Sequence, residues 1–397
     1  MRILLVHNYY RQPGGEDVVL RAERDLLRDA GHEVLLYERH NSEIDDSSVV
    51  DRLRLLRRTT WADDSYRALQ DIVRSKRPDV AHFHNTFPLV SPAGWYACKE
   101  QGVPVVQTLH NYRLLCLNAQ FLRRGGVCES CLRRAPWPGV LHACYRGSRT
   151  QSLAVASMLM THRRRDTYGQ AVDTYIALTE FARRKFIEGG IPGELIRVKP
   201  NFVDPDPGAR VGSGDYALFV GRLSEEKGIE TLLAAWRQLE GIPLRIAGDG
   251  PLLDSARAMV DGWGRHDVEL LGQQPATEIV RLLKSARFLV FPSVWYEGFP
   301  RTLAEAFACG VPVLASRLGG AAEIVAESVS GRFFRPGDPD DLARAASTLW
   351  QDPAECQRLG RGARESYETR YTPAANLEIL TGIYEAARAL SAVRGEA

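Results

Sequence analysis

Short apolar runs alternate with longer segments of helical periodicity along the 397-residue chain. This alternation is typical of β-α-β units, and the nearly continuous Val, Ile and Leu content of the runs suits strands that are covered by helices on both faces. Two sets of five strands predict an α/β protein with two Rossmann-like domains. The predicted strands are 3–6, 33–37, 80–84, 105–109 and 174–178 in the first half, and 217–220, 244–247, 268–271, 288–291 and 313–315 in the second.

The junction between the two halves is predicted from proline and glycine. Residues 199–207 contain three prolines, which block regular structure, and glycines follow at 208, 212 and 214. We therefore predict a first domain at 1–198, a second at 199–375 and a final helix at 376–397.

Composition narrows the functional classes. A formal net charge of +2 argues against nucleic acid as a partner. The first six residues are predicted to form a buried strand, not a secretion signal, and the longest later apolar stretch, 153–160, is far too short to span a membrane. Seven cysteines without a small-domain disulfide pattern fit a reducing compartment, so we expect a cytoplasmic protein, with the inner face of the membrane as an alternative.

The most informative segment lies between the strand that ends at Phe291 and a helix for which Pro300 suits the first turn. The amide groups around residues 298–301 would be free donors at the positive end of that helix. Glu297 precedes the helix and Glu305 lies inside it, so two carboxylates are available to accept hydrogen bonds from sugar diols. The alternative is an acid favoured by the helix dipole and a solvent-facing Glu305.

A second segment, 219–228, joins a strand to a helix through a loop that starts at Gly221. Arg222 and Lys227 in this loop would reach a ligand at the carboxyl end of the strand, where open α/β sheets bind ligands, and their charges would offset a diphosphate. The alternative is two solvated surface cations. A third loop contains Gly248, which would permit a close approach of the backbone to a nucleotide base. The alternative is that this glycine only forms a turn.

In the first half, Gly14 and Gly15 follow the first strand without the spacing of a dinucleotide-binding motif, so a nicotinamide cofactor is disfavoured. Paired glycines here would let backbone amides approach a phosphate. His110 ends another apolar strand and is expected at the same edge of the sheet, although a lone histidine is often structural.

Taken together, these segments resemble the family 4 retaining glycosyltransferases, over nearly the whole chain and in the family's order. The resemblance implies the GT-B fold, in which two Rossmann-like domains face each other across a deep cleft, the first binding the acceptor and the second the nucleotide sugar. It implies that Arg222 and Lys227 hold the diphosphate and that Glu305 binds the ribose. The residues predicted to be catalytic are His110, Arg222, Lys227 and Glu297. Those predicted to bind the donor are Gly14, Gly15, Gly221, Gly248, Gly298, Phe299, Pro300, Leu303 and Glu305.

The same resemblance implies a metal-independent front-face reaction that retains the anomeric configuration. The donor would be a nucleotide-diphosphate sugar, and the acceptor a glycan, a lipid-linked saccharide or a small molecule. Two Asp-x-Asp sequences, at 204–206 and 338–340, lie among prolines and away from the donor segments, so we interpret them as chance matches to a metal motif. A non-hydrolysing nucleotide-sugar epimerase and an inactive sugar-nucleotide-binding partner remain alternatives.

An insert at 116–144 carries four cysteines. Cys116, Cys128, Cys131 and Cys144 have a central C-x2-C, from which a closed tetrahedral zinc site can be built. We predict a structural zinc ion here and no catalytic cofactor. Four unrelated thiols are the alternative.

Two basic clusters, at 49–58 and 163–165, combine arginines with helical spacing. Such residues would suit a membrane surface or an anionic, lipid-linked acceptor. Ordinary amphipathic helices with solvated arginines are the alternative.

Overall fold

The computed structural model describes residues 1–11, 14–44 and 49–395. The chain forms two compact units. The first unit contains Met1–Gln120, Glu129–Pro200 and the chain from Asn376 onward, and the second contains Phe121–Cys128 and Asn201–Ala375.

Strands and helices alternate through both units. The strands are β1 (Arg2–Tyr9), β2 (Glu33–His40), β3 (Val80–Asn85), β4 (Val105–Leu109), β5 (Leu122–Arg123), β6 (Gly126–Val127), β7 (Thr174–Ala177), β8 (Ile196–Val198), β9 (Tyr216–Val220), β10 (Leu244–Ala247), β11 (Val268–Gly272), β12 (Ala286–Phe291), β13 (Val313–Ser316) and β14 (Gly331–Phe334). The helices are α1 (Gly15–Asp29), α2 (Val49–Thr60), α3 (Asp63–Lys76), α4 (Ala93–Lys99), α5 (Trp137–Leu141), α6 (Arg149–Arg164), α7 (Thr167–Gln170), α8 (Glu180–Glu188), α9 (Ile229–Trp236), α10 (Leu253–Asp261), α11 (Ala276–Ser285), α12 (Arg301–Ala308), α13 (Ala321–Ile324), α14 (Pro339–Gln351), α15 (Pro353–Arg370) and α16 (Pro373–Gly395).

The first unit is built on a six-stranded parallel sheet with the order β2-β1-β3-β4-β7-β8. The last helix, α16, belongs to the core of this unit. Its buried residues Leu380, Ile383 and Tyr384 share one apolar cluster with Ile3 and Leu5 of β1. The end of the chain therefore helps to cover the sheet with which the chain begins.

The second unit contains another six-stranded parallel sheet, with the order β11-β10-β9-β12-β13-β14. Its core packs α9 and α14 against the sheet through buried residues such as Trp236 and Leu342. The strand order reverses between β9 and β12. Ligands of open α/β sheets bind at the carboxyl ends of the strands at such a reversal. The loops that follow β9 and β12 are therefore the expected ligand-binding loops of this unit.

All ten predicted strands are present, and the mixed α/β architecture with two parallel sheets is confirmed. The sequence analysis did not predict β8 and β14. Both are short edge strands, of three and four residues, and segments of this length carry little periodicity.

The hairpin formed by β5 and β6 lies inside the insert that the sequence analysis assigned to the first domain. The structure groups Phe121–Cys128 with the second unit instead. The ring of Phe121 packs edge-on against Tyr296 at 6.2 Å between centroids, which explains the grouping in physical terms. Among the residues that the structure describes, no helix is both long enough and apolar enough to cross a bilayer.

Candidate active site

The two loops that follow β9 and β12 touch each other in the second unit. The loop after β9 forms a 3-10 turn at Glu225–Lys227 and then passes Gly228, whose φ is 70°. A Cβ atom at this position would lie 2.0 Å from the carbonyl oxygen of Pro292. Glycine is therefore required here both for its left-handed backbone and for the close approach of the second loop.

This approach joins the predicted residues Lys227 and Glu297. The ammonium group of Lys227 donates to Glu297 Oε1 at 2.6 Å, and the same oxygen accepts from Ser293 Oγ at 2.7 Å and from Trp295 Nε1 at 2.9 Å. Glu297 is 7% exposed. Three donors on one oxygen hold the carboxylate in a fixed position and leave Oε2 as a further acceptor.

Arg222 in the same loop is exposed and has no ion-pair partner among the residues described. The loop begins with Gly221, whose carbonyl oxygen would lie 1.8 Å from a Cβ atom at Gly248. Gly248, with a φ of 149°, is thus required by the backbone of Gly221. Its predicted contact with a nucleotide base stays a prediction.

Helix α12 begins directly after Pro300, which adopts extended backbone angles as its N-cap residue. The side chains of Phe299 and Leu303 are buried, at 9% and 0% exposure, so they anchor this end of the helix in the core. Glu305 is paired with Arg301 at 3.0 Å, and both side chains are 26% exposed. Glu305 therefore presents a carboxylate that a ligand can reach.

In the first unit, the helix that follows β1 begins at the predicted pair of glycines. Gly14 is the N-cap residue of α1, and its amide donates to the carboxylate of Asp17 at 2.7 Å. Asp17 is buried and also bonds His7 at 2.8 Å. Among the described residues, none has an atom within 4 Å of a Cβ atom placed at either Gly14 or Gly15. The predicted approach of a phosphate to these glycines stays a prediction.

His110 lies at the end of β4 and is the partly exposed end of a buried network. Its Nε2 atom hydrogen-bonds Nδ1 of His84 at 3.0 Å. His84 Nε2 lies 3.4 Å from Oε2 of Glu23, and Glu23 Oε1 accepts from Lys199 Nζ at 2.6 Å. Glu23 and Lys199 are completely buried, and His84 is 2% exposed.

Burial sets the protonation of this network. It lowers the pKa of His110 to about 3 and holds the pKa of His84 and of His82 well below the usual value. For Glu23, burial is the largest influence and would raise the pKa, but the charge and hydrogen bond of Lys199, together with the neighbouring histidines, outweigh it and the pKa is lowered. The network therefore contains neutral imidazoles around one ion pair.

The sequence analysis missed most of this network. The available signal was an acid at a core position, since Glu23 follows Leu20 and precedes Leu27 at helical spacing on the buried face of α1. A second signal was the pair of histidines on the buried strand β3. Glu16 was missed as well. Burial raises its pKa to about 8, and it hydrogen-bonds Tyr10 and also Asn111, the neighbour of His110.

The seven cysteines, all within the described residues, form no disulfide. Cys116 donates its thiol hydrogen to Asn118 Oδ1 at 2.9 Å. The sulfur atoms of Cys116, Cys131 and Cys144 in the first unit do not come within 4.8 Å of one another as a group of three. Zinc binding at the four cysteines stays a prediction.

The two basic clusters differ in their surroundings. In α2, Arg57 and Arg58 are paired with Asp63 and Asp64; the side chains of 49–53 and the residues 45–48 lie outside the description. In contrast, Arg163 and Arg164 line a groove of about 480 Å³ in the first unit.

The remaining lining residues of this groove are Arg133, Arg134, Ala135, Met160, Glu188, Gly189 and Gly190. Arg133 is paired with Glu188, and Arg163 donates to backbone carbonyls. Arg134 and Arg164 are exposed without an ion pair in the described part of the chain. The groove is therefore strongly positive.

Both Asp-x-Asp sequences have structural partners. Asp206 is paired with Arg364 at 2.7 Å. Asp338 caps helix α14, accepting from the amide of Asp341 at 2.9 Å.

Two protein-family models together match almost the whole chain. Residues 13–207 match the model described as Glycosyltransferase Family 4, and residues 205–366 match the model described as Glycosyl transferases group 1. The chain is a family 4 glycosyltransferase. The predicted family is thereby confirmed. This glycosyltransferase carries Gly14, Gly15 and His110 in the part that matches the Family 4 model, and its other candidate catalytic and donor-binding residues in the part that matches the group 1 model.

Individual relatives agree with this assignment. The glycosyltransferase is 23% identical over 368 residues to an uncharacterized glycosyltransferase of Methanocaldococcus jannaschii, which covers 92% of this chain and 93% of the relative. It is 30% identical over 305 residues to the glycogen synthase of Mycobacterium tuberculosis, and this match covers 74% of this chain and 65% of the relative. Among solved structures, HepE from Anabaena in complex with UDP shares the fold with a TM-score of 0.69 at 19% identity, covering 97% of this chain and 100% of that one. The fold is GT-B.

Proposed function

We propose that this enzyme transfers a hexosyl group from a nucleotide-diphosphate sugar to an acceptor hydroxyl, with retention of the anomeric configuration and without a catalytic metal ion. The observation that carries the proposal is the contact between Lys227 and Glu297 at the carboxyl ends of β9 and β12. This contact joins a cation suited to a diphosphate with a carboxylate suited to sugar hydroxyls.

The donor half of the reaction follows from these residues. Arg222 and Lys227 would bind the diphosphate, and Lys227 would exchange Glu297 for a phosphate oxygen as the donor enters. Glu297 keeps the donors Ser293 and Trp295 after this exchange, so its carboxylate stays in place to accept from the hydroxyls of the transferred sugar. Solved complexes of HepE with UDP and with UDP-glucose support a donor of this chemical class.

In the transfer itself, the bond between the anomeric carbon and the diphosphate oxygen breaks, and the acceptor hydroxyl attacks from the same face. The proton of that hydroxyl passes to the departing phosphate oxygen. The two cations stabilise the charge that develops on the leaving group, which is the task that a metal ion performs in other transferases. His110 is proposed to contact the transferred sugar, and Gly15 the diphosphate.

The experiment mixes the purified chain with a panel of nucleotide sugars, with and without a chelator. A transferase slowly releases nucleoside diphosphate by hydrolysis, and NMR of the first glycoside formed with an accepted alcohol reports the anomeric configuration. Release that continues under chelation, with retention, supports the proposal. Interconversion of sugars would indicate an epimerase instead, and binding without turnover an inactive partner.

For the acceptor, the positive groove at Arg134 and Arg164 supports an anionic acceptor or an anionic membrane surface. Sedimentation with vesicles that contain or lack anionic lipid tests this. We expect Arg134→Ala/Arg164→Ala to weaken binding to anionic vesicles, whereas Arg335→Ala/Arg344→Ala, at exposed arginines of the second unit, should not. Equal binding by both variants would reject the groove as the contact.

A further inference from the structure

The buried network behind His110 has no part in the donor chemistry described above. It runs through three contacts of the first unit, from Lys199 to Glu23, from Glu23 to His84 and from His84 to His110. Two of its buried atoms, Glu23 Oε2 and His84 Nε2, lie 3.4 Å apart and have no hydrogen-bond partner among the described residues. A buried ion pair with no catalytic role needs a reason, because removing two charges from water is costly.

The network fixes which ring nitrogens carry hydrogen. A neutral imidazole has one N–H, so it donates from one nitrogen and accepts at the other. On the Nε2 side, His84 faces a carboxylate oxygen, which can only accept. Its hydrogen therefore belongs on Nε2, and its Nδ1 must accept from Nε2 of His110. This leaves Nδ1 of His110 without a hydrogen.

The opposite arrangement would place two acceptors face to face. If His84 carried its hydrogen on Nδ1, the lone pair of its Nε2 would point at Oε2 of Glu23 across 3.4 Å in a site without exposure. An unsatisfied pair of buried acceptors is destabilising. Glu23 therefore selects the tautomer, and Lys199 keeps Glu23 ionised.

We propose that Glu23 is a positioning residue that acts through His84 to hold His110 as its Nε2–H tautomer, so that Nδ1 of His110 presents a hydrogen-bond acceptor to a hydroxyl of the transferred sugar. The proposal rests on the function proposed above, because it takes the sugar as the group that His110 contacts. It adds the direction of that hydrogen bond and the residues that determine it.

A metal ion is the main competing explanation. The ligand atoms of Glu23, His82 and His84 lie within 4.8 Å of one another. However, both ring nitrogens of His82 are already paired with hydroxyl groups, one with Tyr384 at 2.8 Å and one with Thr108 at 2.7 Å. The ammonium of Lys199 also occupies the other oxygen of Glu23, and a second cation beside it would be repelled.

The test uses the double variant Glu23→Gln/Lys199→Met, which removes both charges so that neither remains buried alone. Its matched control is Lys99→Met/Asp173→Asn, another lysine paired with a buried aspartate in the same unit. Imidazole ¹⁵N spectra of the full chain report the tautomer of each histidine, and His110→Gln assigns the signal of His110.

We expect hydrogen on Nε2 of His110 in the wild-type chain and in the control, and a mixture of tautomers in the double variant. Turnover should fall about tenfold in the double variant, the size expected for one neutral hydrogen bond, with an unchanged KM for the donor. Hydrogen on Nδ1 of wild-type His110, or an unchanged tautomer in the double variant, would overturn the proposal.

The wild-type spectrum decides the matter even if the double variant does not fold. Zinc, iron or another metal bound stoichiometrically and lost on mutation of His84 would overturn it in favour of a metal site. A chain that transfers no sugar would refute the proposed function, while the tautomer measurement would still decide the role of Glu23.

Discussion

Two lysine–glutamate pairs, one from each unit, have the same distance between their charged groups and different environments. Lys199 and Glu23 in the first unit are 2.6 Å apart, and so are Lys227 and Glu297 in the second. In the first pair both side chains are completely buried. In the second pair the exposed fractions of the side chains alone are 23% for Lys227 and 9% for Glu297. The distance therefore says nothing about the difference in role.

The two pairs differ in whether the lysine can exchange its glutamate partner for a ligand. The ammonium of Lys227 reaches solvent and can exchange its partner for an entering phosphate. Lys199 has no solvent contact, and its second partner is the amide oxygen of Asn376 at 3.3 Å. A buried pair resists exchange because either charge alone would be stranded without water. We therefore propose ligand binding for Lys227 and a role in the integrity of the first unit for Lys199.

The largest effect is expected for Lys199→Met. This variant leaves the carboxylate of Glu23 buried without a cation, which should lower the free energy of unfolding by about 3 to 5 kcal/mol. Urea unfolding, read by hydrogen exchange in the first unit, measures the loss. The matched variant Lys227→Met removes the same group from a partly exposed pair and should cost at most about 1 kcal/mol. Equal losses would show that burial does not separate the two pairs.

For the rate of sugar transfer we expect the opposite order, with a larger effect of Lys227→Met than of Lys199→Met. In free energy this effect is somewhat smaller than the loss of stability in Lys199→Met. Lys227→Met removes a charge from the developing diphosphate and should lower the rate of transfer about 10²- to 10³-fold, or roughly 2.7 to 4 kcal/mol. Initial rates at saturating donor, with Lys76→Met as an exposed control, measure it. A Lys227→Met enzyme with full activity would remove the residue from the mechanism.

The two regions also differ in how well the sequence predicted them. The donor loops were found because each consists of contiguous residues at the end of an apolar strand, so Gly221, Lys227 and Glu297 carry a local pattern. The buried network has no such pattern, since Lys199 and Glu23 are 176 residues apart in sequence and Tyr384 lies 302 residues from His82. Only the fold brings these side chains together.

Glycines show a second limit of sequence reasoning. Gly248 was interpreted through a ligand, and Gly228 only as the end of the loop that carries Lys227. The structure shows that each accommodates a neighbouring loop, Gly248 at Gly221 and Gly228 at Pro292. A pattern indicates that backbone approaches closely at such a position and does not say what approaches. The edge strands β8 and β14 were missed for a different reason, because segments of three and four residues carry little periodicity.

The smallest expected effect is that of acid on the free energy of unfolding, and it should differ between the two units. Burial lowers the pKa of His82, His84 and His110, so the folded chain leaves them neutral where the unfolded chain, below about pH 6.5, binds protons. Since the unfolded state then holds more protons, the free energy of unfolding must fall as the pH drops, by up to about 1.4 kcal/mol per imidazole and pH unit.

Glu16 opposes this trend. Burial raises its pKa to about 8, so between its unfolded value and that pH the folded state holds the extra proton, and acid stabilises the fold at this residue. Burial also lowers the pKa of His32 and His162. The imidazoles of the first unit therefore outnumber this one carboxyl, so acid lowers the free energy of unfolding of the first unit below about pH 6.5. The second unit contains one histidine, His266, and it is exposed. Hydrogen exchange at pH 7 and pH 5, corrected for intrinsic rates, should therefore show protection lost from β1, β3 and β4 before the strands of the second sheet. Simultaneous loss in both sheets would contradict the assignment of neutral, buried imidazoles to the first unit, because the second unit has no buried histidine.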